Sequence, residues 1–351
     1  MVAMSEHAGA RTTRRSGLGS LTPRRLGLGS LTAALLVTSA LGGAVAGSPT
    51  AGASGPQLHA PIVGIAPTPD GGGYWLVGAD GGVFTFGDAH FHGSASGVRL
   101  HRPIVGMAAT PSGGGYWLVG ADGGVFTGGN ASFHGSASRV HLKAPIVAIA
   151  ATPDGGGYWL VASDGGVLTG GDATFHGSAT SFHLNAPVVG IAATHDGRGY
   201  WLVASDGGVF SFGDATPHGS AVPFHLKDPI VGMAATPDGA GYWLVASDGG
   251  VFCFGDAHFH GSAAGKSGGR TTVGLAPSPT GRGYWLANNH TAASYLGDPA
   301  LDNGPSGGPA ANPPSSAPEV PVALLIPVLA ALVLIAATLL RRRRVLHPPS
   351  S

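Results

Sequence analysis

A unit of 42 residues occurs six times in this chain, and it constrains the fold more than any other feature. Each copy contains a Tyr-Trp pair, and the pairs use all six tryptophans of the 351 residues. A period of about 40 to 45 residues is typical of a four-stranded propeller blade. Helical repeats are disfavoured, because 62 glycines would destabilise helix interiors. The pairs are Tyr74-Trp75, Tyr116-Trp117, Tyr158-Trp159, Tyr200-Trp201, Tyr242-Trp243 and Tyr284-Trp285.

Four short strands fit within one copy. In the first copy they are predicted at Ile62–Ala66, Tyr74–Gly78, Val83–Phe86 and, more weakly, Phe91–Ser94. Thr-Pro-Asp-Gly, Asp-Gly and Gly-Asp supply the turns between them. The second and third strands are nearly continuous apolar runs, which indicates burial on both faces.

The predicted fold class is therefore all-β, a six-bladed β-propeller of four-stranded repeats over residues 61–303. The repeats begin near residues 61, 103, 145, 187, 229 and 271. The sixth copy is atypical, with His290-Thr291-Ala292 where the others have Asp-Gly-Gly. Terminal repeats often differ because they close the array. The closing residues are expected either within the N-terminal segment 47–60, at Ser54–His59, or at Leu301–Asn303.

The repeat has a recognisable signature. The unit GGGYWLVASDGGVFSFGDA, present in close variants from Gly155 to Ala257, resembles a tandem repeat of secreted and surface proteins of high-GC actinobacteria. That resemblance covers about residues 61–302 and implies a propeller but no activity. A looser similarity extends to quinoprotein and WD-repeat propellers. Functional residues of those two families cannot be placed on this sequence, and a shared fold does not establish a function.

The N-terminal residues 1–46 are predicted to be an export signal. Five arginines, at positions 11, 14, 15, 24 and 25, precede the apolar stretch Leu26–Gly47. Ala44-Val45-Ala46 fits the small-x-small rule for signal-peptidase cleavage. The arginine pairs leave both the general secretory and the twin-arginine routes open.

The C-terminal part is predicted to be a membrane anchor. Residues 304–319 form a Pro/Gly/Ser-rich spacer, and residues 320–340 carry no charge. A helix of 21 residues spans about 31 Å, close to the hydrocarbon thickness of a bilayer. The cluster Arg341–Arg344 places the tail 341–351 in the cytoplasm. We therefore expect a single-pass protein of the cell membrane, with its repeats outside the cytoplasm.

The charge of the repeats excludes some partners and ligands. Residues 56–304 contain 16 aspartates, no glutamate and nine lysines or arginines, a net charge of −7 with neutral histidines. Nucleic acid is therefore not an expected partner. Most of the aspartates occupy repeating turns, where they cap the backbone. The recurring histidines are expected to lie too far apart to bind one metal ion, so neither metal nor cofactor is predicted. The histidines concerned are His92, His134, His176, His218 and His260.

The connections between repeats are the most variable stretches and are predicted to gather on one basic, histidine-rich side. Variable loops on a rigid scaffold are the usual place for recognition. We expect them to bind an anionic cell-wall polymer, glycan or protein, more strongly below about pH 6.5, where histidine becomes charged. The candidate binding residues are Arg99, His101, Arg102, Arg139, His141, Lys143, His183, His225 and Lys227.

Catalytic motifs are weak, and no catalytic residue is predicted. The single cysteine, Cys253, excludes an internal disulfide, and the aspartates form no obvious acid/base pair. We therefore predict a membrane-anchored binding or scaffolding module. The alternative is an extracytoplasmic enzyme, a hydrolase or a quinoprotein-like oxidoreductase, with its site in the central channel.

Overall fold

The computed structural model describes residues 58–265, 268–290 and 293–297. The predicted export signal, the spacer, the 320–340 helix and the basic tail lie outside the described residues, as do Ser54 and Leu301–Asn303. No helix among the described residues is both long and apolar enough to cross a membrane.

The described chain folds into six three-stranded antiparallel sheets, one for each repeat, in the order first, second, third strand. Two short 3-10 helices, Ala179–Ser181 and Val222–Phe224, follow the third and fourth sheets. The strands are β1 Ile62–Pro67, β2 Gly73–Gly78 and β3 Val83–Gly87; β4 Ile104–Ala109, β5 Gly115–Gly120 and β6 Val125–Gly129; β7 Ile146–Ala151, β8 Gly157–Ala162 and β9 Val167–Gly171; β10 Val188–Ala193, β11 Gly199–Ala204 and β12 Val209–Gly213; β13 Ile230–Ala235, β14 Gly241–Ala246 and β15 Val251–Gly255; β16 Thr272–Pro277, β17 Gly283–Asn288 and β18 Ala293–Gly297.

Three of the four strands predicted for each repeat are confirmed, and their ends agree to within one residue in the first copy. The middle strand of the first five sheets is buried at all six positions, as its continuous apolar sequence predicts. The third strands are less buried. The expectation of burial on both faces therefore holds for the middle strand more fully than for the third.

The fourth predicted strand, Phe91–Ser94, is wrong. Residues 89–95, which we call the return segment, lie between one sheet and the next and form hydrogen bonds with both. The Trp75 indole N–H donates to the His90 carbonyl (2.7 Å), and the Ala95 N–H donates to the Gly81 carbonyl (2.9 Å). On the other side, the Tyr116 hydroxyl of the second repeat donates to the Gly93 carbonyl (2.5 Å). These bonds take the place of a strand ladder.

Neighbouring repeats are joined by a recurring backbone hydrogen bond at the start of each first strand. The Ile104 N–H donates to the Ala79 carbonyl of the preceding repeat (2.9 Å), and the equivalent Ile62 N–H donates to Asn289 of the sixth repeat (3.2 Å). The first strands also contact one another in sequence, and β1 contacts β16. The contacts between repeats therefore form a closed cycle, although the six sheets stay separate.

The atypical sixth copy still forms a complete three-stranded sheet at the closing contact. Its sheet takes all three strands from the sixth repeat. Of the two segments considered for closure, only Leu58 and His59 are described, and Leu58 packs against the hydrophobic cluster that joins the first and sixth repeats. Within the described residues, closure is therefore achieved by packing and by the Ile62 hydrogen bond, with no strand contributed from elsewhere.

The core consists of hydrophobic clusters between neighbouring repeats. In the first of them, Trp75 of one repeat packs with Met107 and Tyr116 of the next. The six tryptophans are at most 1% exposed. The first strands approach closely: a Cβ added at Gly64 would lie 3.5 Å from the Cα of Gly106. This proximity is the physical reason for their small side chains.

Candidate functional site

The connections between repeats lie at the same end of the sheets as the Asp-Gly turns. The return segment leads there, because the Ala95 N–H bonds to the Gly81 carbonyl within that turn. The turn aspartates cap their own backbone: Asp80 accepts from the Gly82 N–H (2.9 Å), and Asp122 accepts from the Gly124 N–H (3.0 Å). The structural interpretation of these aspartates is confirmed. The Asp-Gly turns that they cap border the basic connections.

A groove of about 610 Å³ lies at this end, beside the second repeat. One wall comes from the connection that enters this repeat, with Arg99, His101 and Arg102. The connection that leaves the repeat contributes Arg139 to the lining. We call this feature the basic groove. Asp122 lies in its lining and is its single acidic residue.

A second concavity of about 490 Å³ continues the basic groove towards the third repeat. Arg102, Asp122 and Ser138 line both volumes, and Lys143 lies in the second. The combined surface therefore carries three arginines and one lysine against one aspartate. Such a surface attracts anions, and arginine can bind a carboxylate or phosphate through two parallel hydrogen bonds.

The arginines of the basic groove are available to a ligand. Arg99, Arg102 and Arg139 are exposed, and the one ion pair among the described residues joins Arg198 to Asp196, at 3.7 Å. That pair lies in the turn between β10 and β11 and therefore does not neutralise the groove.

The structure brings together five of the nine candidate binding residues. These five are Arg99, His101, Arg102, Arg139 and Lys143, which line the two connected volumes. The other four, His141, His183, His225 and Lys227, are exposed on connections but do not line either volume. The basic side predicted from sequence is thus concentrated at the second repeat.

An apolar pocket of about 170 Å³ opens beside the basic groove. Val98 and Phe126 line both features, and Tyr116 and Leu118 line the pocket alone. Burial raises the pKa of Tyr116 to about 12, so its phenol remains neutral at physiological pH. Sequence reasoning missed this pocket.

The pocket lies where the second repeat lacks two aromatic side chains, which the third repeat also lacks, at Val140 and Gly170. Gly128 stands where the first, fourth and fifth repeats have Phe86, Phe212 and Phe254, and Phe86 stacks on Tyr74 with ring centroids 4.8 Å apart. Val98 stands where later connections have Phe182 and Phe224. Phe182 stacks on Phe210 at 5.6 Å. The departures at positions 98 and 128 were the signal that could have revealed the pocket.

The recurring histidines have a packing role. His92 lies between Trp75 of its own repeat and Tyr116 of the next, with ring centroids 6.1 and 5.7 Å away. Its Nε2 is 3.3 Å from the Gly113 carbonyl. The His92 carbonyl also accepts from the Gly129 N–H (3.1 Å). Each such histidine thus belongs to an interface between repeats.

A second feature missed from sequence is a carboxylate pair at the opposite end of the sheets. Hydrogen bonds from the Thr68 hydroxyl and then the Gly72 N–H lower the pKa of Asp70. Desolvation, followed by the charge of Asp70, raises the pKa of Asp88. Similar pairs join Asp154 to Asp172, Asp196 to Asp214 and Asp238 to Asp256. In the second repeat, Ser112 and Asn130 form a neutral equivalent, in which the Asn130 amide donates to Ser112 (2.8 Å).

Comparison with known proteins gives no family assignment. No protein-family model matches this chain, and no curated protein matches it significantly. The basic groove and its apolar pocket are therefore the features from which a function can be inferred.

Proposed function

We propose that this protein is an extracytoplasmic binding module that takes an anionic partner in the basic groove. In this proposal residues 1–46 direct export, and the six repeats form a six-bladed propeller with three-stranded blades. The helix 320–340 holds the module at the cell membrane as a single-pass anchor. The repeats would then act as a rigid scaffold that presents one recognition surface.

The observation that carries the binding proposal is the convergence of Arg99, Arg102 and Arg139 on one groove. The residues come from two successive connections, so only the packing of repeats brings them together. The remainder of the repeats is acidic, and an electropositive groove on an acidic protein concentrates anions locally. Neighbouring repeats pack around tryptophans that are at most 1% exposed, and such close packing resists deformation of the scaffold that carries the connections. Fixed geometry reduces the entropy lost on binding.

The experiment compares two triple variants of the purified full-length chain in a nonionic detergent. In the groove variant, Arg99, Arg102 and Arg139 become alanine. In the control variant, Arg198, Arg270 and Arg282 become alanine; these are exposed and lie outside the groove. Both variants lose three positive charges, at the groove in one and away from it in the other.

The probes are fluorescent polyglutamate and alginate, measured by anisotropy at low ionic strength and at pH 5.5 and 8. We expect the groove variant to bind polyglutamate at least about tenfold more weakly and the control to bind as the unaltered chain does. Histidine gains charge as the pH falls, so we expect this histidine-containing surface to bind anions more strongly at pH 5.5 than at pH 8. Equal losses in both variants, or no binding by the unaltered chain, would refute the proposal.

A further inference from the structure

We propose that the partner of the basic groove is an acidic peptide segment that inserts one aromatic side chain into the adjoining apolar pocket. This inference rests on the proposed function and specifies the chemistry of its ligand. It follows from the position, the size and the lining of the pocket, and from the residues that the pocket shares with the arginine-lined groove.

The groove and the pocket form one continuous site. Val98 and Phe126 belong to the lining of both, and Arg99 directly follows Val98 in the chain. A ligand whose apolar group occupies the pocket could therefore place a charged group of the same molecule beside the Arg99 guanidinium. A ligand that satisfies both must combine anionic and apolar parts within a few ångströms.

The size of the pocket favours a single ring. Its volume of about 170 Å³ is close to the ~150 Å³ of an apolar protein cavity that holds benzene. An acyl chain would need a longer channel. A ring placed there would meet the edge or face of Tyr116, an arrangement that aromatic pairs favour.

Within the chain, the same place is filled by aromatic rings in the fourth and fifth repeats. Phe224 stacks on Phe252 at 5.7 Å, and Phe254 lies 5.6 Å from Tyr242. The second repeat retains the stacking partners Phe126 and Tyr116 but lacks both of the rings that would cover them. A ligand ring would restore contacts that this scaffold makes with its own side chains elsewhere.

An acidic peptide suits this site better than a polysaccharide. A hydroxylated sugar chain would have to desolvate its hydroxyl groups to enter an apolar pocket, which is unfavourable without hydrogen-bond partners. A peptide supplies an aromatic side chain for the pocket and neighbouring carboxylates for Arg99, Arg102 and Arg139. Exposed Phe133, 62% accessible at the groove, offers further apolar contact.

The test uses two fluorescent peptides with the full-length chain: an Asp/Glu peptide with a central Phe, and the same peptide with Ser in its place. We expect the Phe peptide to bind about tenfold more tightly, because its ring is removed from water. The decisive variant is Val98→Phe, which should close the pocket without altering any charge. It should abolish the preference for Phe, so that the Phe and Ser peptides bind with equal affinity.

Val98→Phe is expected to fold, because Phe182 and Phe224 occupy the equivalent positions of later connections. Val98→Leu is a smaller filling variant and should give an intermediate preference. The control is Val222→Phe, the same substitution at an exposed residue outside both volumes. It should retain the full preference.

The two proposals fail in different ways. If both peptides bind equally, if Val98→Phe leaves the preference intact, or if alginate binds more tightly than the Phe peptide, the peptide inference is overturned. In those cases a loss of binding in the triple arginine variant would still support the anionic groove. If that variant binds both peptides like the unaltered chain, the groove proposal itself is wrong.

Discussion

The turn at the end of β6, the third strand of the second repeat, depends on Gly129, which alanine cannot replace. Gly129 has a φ of +63°, a backbone conformation that costs an L-residue about 1–2 kcal/mol. A Cβ at this position would collide with the Gly114 carbonyl oxygen and would lie 2.9 Å from both the Gly115 Cα and the His92 Cγ. The neighbouring atoms are mainly backbone, so the strands themselves must move.

The expected loss for Gly129→Ala can be worked out from the bonds that this movement breaks. The Gly129 N–H donates to the His92 carbonyl (3.1 Å), and the Asn130 N–H donates to the Gly114 carbonyl (2.9 Å). Losing these two bonds lowers the free energy of unfolding by about 1 kcal/mol or more for each bond. With the conformational strain, the free energy of unfolding should fall by about 4 kcal/mol.

Gly265→Ala is the matched control. Gly265 has a similar φ of +75°, but no described atom lies within 4 Å of a Cβ built there. Its loss should be about 1 kcal/mol, from conformation alone.

The assay is urea and thermal unfolding followed by tryptophan fluorescence, which is sensitive because the six tryptophans are buried. A difference of about 3 kcal/mol between the two variants corresponds to roughly 6–12 °C in Tm for a domain of this size. Equal losses in the two variants would refute the steric argument and leave only the conformational one.

Two further predictions concern ionisable groups. The raised pKa of Asp88 means that its contribution to stability is lost as the pH rises above the ordinary aspartate value of 3.8. The change that Asp88→Asn, which imitates Asn130, makes to the free energy of unfolding should therefore be more favourable at pH 7 than at pH 3.5. Urea unfolding measures this change, and a more favourable change at pH 3.5 would contradict the prediction. Burial raises the pKa of Cys253 to about 11, so iodoacetamide at pH 7.5 should alkylate it roughly a hundredfold more slowly than a free cysteine. Mass spectrometry measures the rate, and a rate equal to that in urea would show the thiol to be accessible and ordinary.

The carboxylate pairs show where the sequence stops being sufficient. Asp70 and Asp88 each occupy a turn, and each is correctly interpreted as a turn residue on its own. Their contact requires two turns of one sheet to meet at the same end. The sequence of either turn alone does not predict that meeting. The hydrogen bonds from Thr68 to Gly73 and to Asp88 (3.1 and 3.3 Å) connect the two turns.

The amino-acid sequence by itself determined the repeat, three strands of each unit and the turns between them. These features depend on residues adjacent in the chain: the apolar run around Tyr74-Trp75 and the aspartate that caps its own turn at Asp80. Tertiary structure decided the rest. The return segment looks like a strand but bonds to two sheets at once, because Trp75 and Tyr116 both reach its carbonyl groups. The basic groove joins Arg99 and Arg139, which are 40 residues apart, and the apolar pocket joins Val98 to Gly128. Such contacts depend on how closely successive sheets pack, a distance set by the large buried side chains between them rather than by any local preference of the chain.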